Sequence, residues 1–262
     1  MRLLIAGFVI KINFLPSKVK GYEMHFKAQL LKQFRAFQVK SHFVDKIDYT
    51  IHIAYRNDKR IIRHKEGFYI NLCEYRKNNS AVMFYWISMF EFKTVLLDIL
   101  GLLLEKNNGF ILHASANHVK GKVYIFTGNS GVGKSTISDI LSTRYKKIAD
   151  EMVIIKKEDK KYYLYQIPIF EKVKIKKTSK RYQVGKVFFL RQAQFCRSND
   201  ILNKEKIFSN ITKQLFLSSN FKELQLRYLS DFVSQKKFFA QLFFTNNNEK
   251  IISFIRKELS RL

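Results

Sequence analysis

The run Gly128-Asn129-Ser130-Gly131-Val132-Gly133-Lys134-Ser135-Thr136 spaces glycine, lysine and hydroxyl in a way that suits the cradling of phosphate oxygens. A tight glycine-rich turn points successive backbone N–H groups inward, towards an anion. A lysine placed just after the turn reaches the β- and γ-phosphates of a nucleoside triphosphate, and the next hydroxyl coordinates magnesium. On this reading Gly128, Asn129, Ser130, Gly131, Val132, Gly133, Lys134, Ser135 and Thr136 hold ATP, and Ser135 is a ligand of Mg2+.

Two further sets of residues extend that chemistry. Asp150 and Glu151 interrupt the apolar run from Ile148 to Ile155, where a carboxylate is costly to bury without a compensating cation or hydrogen bond. Magnesium on a bound nucleotide would be such a cation, which makes Asp150 a second metal-ligand candidate. His113 stands between Leu112 and Ala114 on the segment before the loop strand. A lone histidine there is as compatible with a hydrogen-bonded core position as with catalysis. His25, His42, His52, His64 and His118 show no metal-ligand spacing.

The elements that must position these residues follow from periodicity. Val123-Tyr124-Ile125-Phe126 enters the loop as a strand, and Ile137, Ile140 and Leu141 leave it at helical spacing. Phe110 to Ala116 predicts one strand turning at Gly121 into the next, and Lys147 to Ile155 predicts a strand interrupted by its two carboxylates. Tyr162 to Ile167 and Lys186 to Leu190 predict further strands, and Ile251, Ile252, Ile255 and Leu259 a closing amphipathic helix. Upstream, Leu3 to Ile10 reads as one buried strand, and Phe26, Leu30, Leu31, Phe34 and Phe37 as a helix. Tyr49, Ile51, Ile53 and Tyr55 alternate with polar neighbours, and Phe68, Ile70 and Leu72 repeat the pattern. Ala81 to Ile87 adds an apolar run, and a helix spans Glu91 to Glu105, closed by Asn107-Asn108-Gly109. The expected organisation is a β-rich module over 1–108 and an α/β nucleotide-binding domain over 109–262.

At 262 residues and 47% hydrophobic content the chain is globular, and its two cysteines, Cys73 and Cys196, exclude a disulfide framework and a cysteine-based zinc site. A reducing cytoplasm fits that usage. Val95 to Leu104 is broken by Asp98 and too short to span a membrane. The net charge of +27 suits nucleic acid, an anionic surface or an acidic protein. The same excess of Lys, Ile, Asn, Phe and Tyr is also what AT-rich coding produces. With no zinc-finger spacing, basic zipper or RNA-binding aromatic signature, nucleic acid is the weaker reading.

The order Leu112-His113-Ala114-Ser115-Ala116, then Gly128 to Thr136, then Ile148-Ala149-Asp150-Glu151 resembles the catalytic core of the HPr kinase/phosphorylase family and its shorter kinase-like relatives. That family is similar to phosphoenolpyruvate carboxykinase in its nucleotide fold. The resemblance implies an ATP- and magnesium-dependent serine/threonine kinase acting on a protein or peptide. Lys134 would neutralise the transferring phosphoryl group, Ser135 would hold magnesium and Asp150 would sit close to it. Glu151 falls where the family has an aspartate that accepts the substrate's hydroxyl proton, and His113 on its active-site histidine. The Glu-x-Arg-Gly signature of true HPr kinases is absent, with Gln166-Ile167-Pro168-Ile169-Phe170-Glu171 in its region, so the likeness is to the HPr-kinase-like branch. Glu171 is a substitute metal ligand on that comparison.

The basic stretch Lys172, Lys174, Lys176, Lys177, Lys180, Arg181 reads first as a solvated strand edge and second as a grip for an acidic peptide or phosphate. A small-molecule kinase and a nucleotide-switched binding module stay as alternative readings. Assembly as a homo-oligomer is left open by these residues.

Overall fold

The computed structural model describes residues 1–16, 20–40, 46–54, 61–64, 67–70, 73–84, 88–169, 175–216, 223–245 and 247–260. The chain divides into two compact units, Met1–Leu103 and Leu104–Leu262.

In the first unit, β1 (Arg2–Ile5), β2 (Phe8–Phe14), β3 (Tyr49–Ala54), β6 (Cys73–Arg76) and β7 (Ser80–Phe84) form one sheet in the order β1-β2-β3-β7-β6. A separate hairpin joins β4 (Ile61–His64) to β5 (Gly67–Ile70). The helices α1 (Lys20–Gln33) and α2 (Met89–Glu105) accompany the sheet, and α1 runs into a 3-10 turn over Arg35–Phe37. Phe92 of α2 receives Phe26 and Phe34 edge-on at 6.0 and 5.6 Å, a preferred geometry for aromatic pairs.

Three expectations are corrected here. Leu3 to Ile10 is two strands, because Ala6 and Gly7 take positive φ and turn the chain back. Leu31 is 42% exposed while Phe26, Leu30, Phe34 and Phe37 are buried, since it falls off the helix's apolar stripe. Asn108, not Gly109, takes the left-handed turn after α2, and Gly109 already opens the next strand. Tyr55, Leu72 and Tyr85 to Ile87 lie outside the described residues.

The second unit is a nine-stranded sheet with helices on both faces. Its elements are β8 (Gly109–His113), β9 (Ser115–Val119), β10 (Lys122–Thr127), α3 (Lys134–Ser142), β11 (Lys146–Ala149), β12 (Met152–Glu158), β13 (Lys161–Gln166), β14 (Arg181–Gln192), β15 (Arg197–Asp200), α4 (Lys204–Thr212), α5 (Glu223–Ser234), β16 (Phe239–Phe244) and α6 (Asn248–Ser260). The strand order is β11-β9-β10-β14-β13-β12-β8, and β16 pairs with both β14 and β15. β10, β14 and β16 run parallel, and being covered on both faces they read as nearly continuous apolar runs. Along β10, Val123 and Ile125 join a core with Ile207 and Ile211 of α4 and Leu229, Phe232 and Val233 of α5. Tyr124 and Phe126 point to the other core, with Ile137 and Leu141 of α3 and Ile251 and Ile255 of α6.

Two strands expected to be continuous are each broken in two. The chain passes from β8 to β9 at Ala114, and from β11 to β12 at Asp150-Glu151. Each break is a corner where the chain leaves one set of partners for another: β9 and β11 pair with each other, as do β8 and β12. The Ala114 N–H donates to the Glu151 carbonyl at 3.1 Å and ties the corners together. The lysine-rich stretch is corrected too. Residues 170–174 lie outside the described set, and Ile175 to Lys180 form no strand, which begins only at Arg181.

Candidate functional site

The glycine-rich loop connects β10 to α3, and Gly128, Gly131 and Gly133 all take positive φ, at 143°, 76° and 101°. Gly133 is the N-cap of α3, with no side-chain cap on the helix. A Cβ there would lie 2.7 Å from Phe244 Cζ, so both the backbone angle and the packing require glycine. Asn129, Ser130 and Thr136 are exposed, and Val132 and Ser135 are half-buried. Lys134 is 7% exposed and folds back over the loop, donating to the carbonyls of Gly128 (2.9 Å) and Asn129 (3.1 Å). A partly desolvated ammonium is thus held by carbonyl dipoles that an arriving anion can replace.

A buried polar lock sets the height of α3 against β9. Ser115 Oγ donates to the Lys134 carbonyl (2.7 Å), Ser138 Oγ donates to Asn117 Oδ1 (2.7 Å), and Asn117 Nδ2 donates to the Ser138 carbonyl (3.1 Å). Ser115, Asn117 and Ser138 are each fully buried. Sequence reading overlooked them. Their signal was confined to polar residues at positions 115 and 117, alternating with Ala114, Ala116 and His118.

The acidic corner stands at the same end of the sheet. Ala116 of β9 pairs with Ile125 of β10 on one side and Ala149 of β11 on the other, so β10 and β11 lie about 10 Å apart with Asp150 just beyond. Thr127, the last residue before the loop, donates from Oγ1 to the His113 carbonyl at 3.1 Å. His113 Nε2 lies 3.4 Å from Glu151 Oε2, and their side chains are 42% and 16% exposed. The pair is therefore accessible from solvent. Asp150, 3% exposed, faces Lys147 Nζ at 2.8 Å, and Lys147 also meets Asp139 of α3 at 2.6 Å. Sequence reading missed Lys147, because a lysine on a short strand reads as a solvated side chain.

The fold thus brings His113 and Glu151 into contact and sets Lys134, Ser135 and Thr136 at the start of one helix. Glu171 lies outside the described residues. Among the described residues, no cluster of three or more His, Cys, Asp or Glu is placed to hold a metal by itself. A serine hydroxyl and a buried carboxylate are hard oxygen donors, and in this structure the Asp150 carboxylate is paired with Lys147. Donors of this kind are the ones magnesium takes, commonly one or two protein oxygens with phosphate and water completing the shell.

On the opposite side of β10, the loop residues Asn129 to Val132 border a hollow of about 430 Å³ with Leu190, Arg191, Gln192 and Gln241. It opens at the carboxyl ends of parallel β10 and β14, where open α/β sheets bind ligands.

Among solved structures the likeness is distant. The structure of the HPr(Ser) kinase/phosphatase from Coxiella burnetii matches at a TM-score of 0.33 and 12% identity, covering 58% of this chain and 97% of that one. No protein-family model matches the chain, and no curated protein matches it by sequence. Among the described residues no helix is long and apolar enough to cross a membrane.

Proposed function

We propose that the chain is an ATP- and magnesium-dependent phosphotransferase acting on a hydroxyl, with serine or threonine of a protein or peptide as the acceptor. The observation that carries this reading is the pinning of the Lys134-bearing helix by Ser115, on the strand that follows directly from His113 and the Glu151 corner.

The triphosphate lies along the glycine-rich loop, its oxygens met by loop N–H groups and the α3 N-terminus. Lys134 leaves the carbonyls of Gly128 and Asn129 for the β- and γ-phosphate oxygens and offsets charge on the transferring group. Ser135 and Asp150 are the residues that would hold magnesium, which supplies charge neutralisation on the phosphates. The nucleoside extends over β14 into the hollow lined by Arg191, Gln192 and Gln241, away from the acidic corner. The acceptor hydroxyl then approaches from the His113–Glu151 side. Its O–H bond breaks towards Glu151, its oxygen bonds the γ-phosphorus, and the bond from that phosphorus to ADP breaks. His113 keeps the Glu151 carboxylate oriented.

The test is transfer of label from γ-labelled ATP with magnesium into a host lysate, separated into polypeptide and small-molecule fractions, beside Lys134→Ala. Label in a polypeptide band with the unaltered chain alone supports a protein or peptide kinase. Label confined to small molecules moves the acceptor to a metabolite. Label in neither fraction, with ATP still bound, overturns the phosphotransferase.

A further inference from the structure

At the end of the sheet opposite the glycine-rich loop is another hollow, of about 380 Å³. It is separated from the loop by the length of β10, about 20 Å. Its volume lies in the lower part of the range of ligand hollows, about 300–1,000 Å³. Lys122, Lys160, Lys161 and Lys237 line it around a floor of Tyr162, Val184 and Phe238, with the amides of Gln183 and Gln235 at its wall. Among the described residues that line it there is no carboxylate. Two nearby acids are engaged elsewhere, Asp231 with Lys157 (2.6 Å) and the Tyr162 hydroxyl (2.8 Å), and Glu158 with Arg181 (2.6 Å) and the Tyr165 hydroxyl (2.7 Å), while Asp159 is exposed in the turn before Lys160.

Two backbone features shape this hollow. Register slips between Val123 and Tyr124, which face Val184 and Lys186, leaving Gly185 as the extra residue of a β-bulge. A Cβ on Gly185 would come within 3.0 Å of Lys122 Cβ, so the glycine allows the lysine's stem to cross it. The β12–β13 turn holds Asp159 at φ 46° and Lys160 at φ 65°, a conformation that lysine adopts at a cost. Four ammonium groups around a concave apolar floor concentrate a field that attracts anions.

We infer that this hollow docks an acidic polypeptide segment, with an apolar side chain against the half-buried Phe238 and carboxylates on the lysine rim. The glutamine amides suit the backbone of an extended chain. Nucleic acid fits less well. Tyr162 is 4% exposed, which leaves the half-buried Phe238 as a single ring where base stacking uses successive ones, and the rim has no arginine fork for bidentate phosphate binding.

The experiment is fluorescence anisotropy of the full chain with a fluorescein-labelled peptide of alternating glutamate and leucine, without nucleotide. A peptide of alternating glutamate and serine and a labelled oligothymidylate serve as competing probes. We expect the glutamate–leucine peptide to bind tightest. The Lys160→Glu/Lys161→Glu variant should weaken it by about tenfold or more, as should Lys122→Glu. Lys250→Glu/Lys257→Glu, the same charge change on α6, should shift it by less than about twofold, and so should Lys134→Ala. Because the readout needs neither ATP nor transfer, it stands or falls apart from the phosphotransferase reading. Absence of peptide binding, equal weakening by the α6 reversal, or tighter binding of the oligothymidylate would each overturn the assignment. Circular dichroism verifies that each variant is folded.

Discussion

Asp98 of the first unit and Asp150 of the second are alike in sequence, each a carboxylate set into an apolar run, yet the fold treats them in opposite ways. Asp98 accepts from the Tyr75 hydroxyl at 3.2 Å. Burial pushes its carboxyl above the usual carboxylate range, and the Tyr75 bond pulls it only partly back. The neighbouring Cys73 thiol is pushed up to about 12, by burial first and then by Asp98 and Glu74. This is a region where burial favours neutral forms. Asp150 is instead met by the ammonium of Lys147, itself shared with Asp139. A carboxylate in an apolar run therefore reports only a cost, and the partner the fold supplies decides whether the site is neutral or ionic.

The largest effects should come from the ionic side. Glu151→Gln should lower phosphoryl transfer by about 10²–10⁴-fold while ATP affinity, measured by calorimetry, changes by less than about threefold. Equal loss of both would mean that Glu151 holds the fold and not the proton.

Lys147→Met sharpens the contrast in stability. It leaves Asp150 and Asp139 without their shared cation and should cost about 3 kcal/mol in urea unfolding. Asp98→Asn should shift stability by less than about 1 kcal/mol, because asparagine can still accept from Tyr75. Similar losses from the two variants would erase the distinction.

The pH dependence carries a definite sign. Asp98 has a raised folded-state pKa, so its contribution is fully present below the ordinary carboxylate pKa and is lost as pH rises through the folded value. Asp98→Asn should therefore gain on the unaltered chain as pH rises from acid to neutral, read as melting temperature against pH. Parallel curves would contradict it. On the ionic side, Ser115→Ala should cost about 1 kcal/mol and raise KM for ATP more than it lowers kcat, since it loosens the seat of Lys134.

Much of the glycine-rich loop was legible because its requirements are local. Three glycines needing positive φ, an apolar strand before them and helical spacing after them all lie within one short segment. The breaks at Ala114 and at Asp150-Glu151 were not legible, since nothing within either segment distinguishes a strand that changes partners from one that continues. The Ala6-Gly7 turn hid inside an unbroken apolar run, because a hairpin buried on both strands needs no polar residue at its tip. The Ser115, Asn117 and Ser138 lock was missed because small polar residues are also common in strands that reach solvent, and only the arrival of α3 buries these.

The sequence alone set which chemistries the chain carries and the local backbone shapes that glycine and apolar periodicity impose. Those depend on neighbours within a few residues, whose sterics act whatever the rest of the chain does. The tertiary structure decided which distant groups meet: His113 with Glu151, Lys147 between Asp139 and Asp150, and Lys122 beside Lys160 and Lys237. Those meetings follow from strand order and register, which are set by the pairing of segments far apart in the chain and by the burial of both faces of the sheet at once.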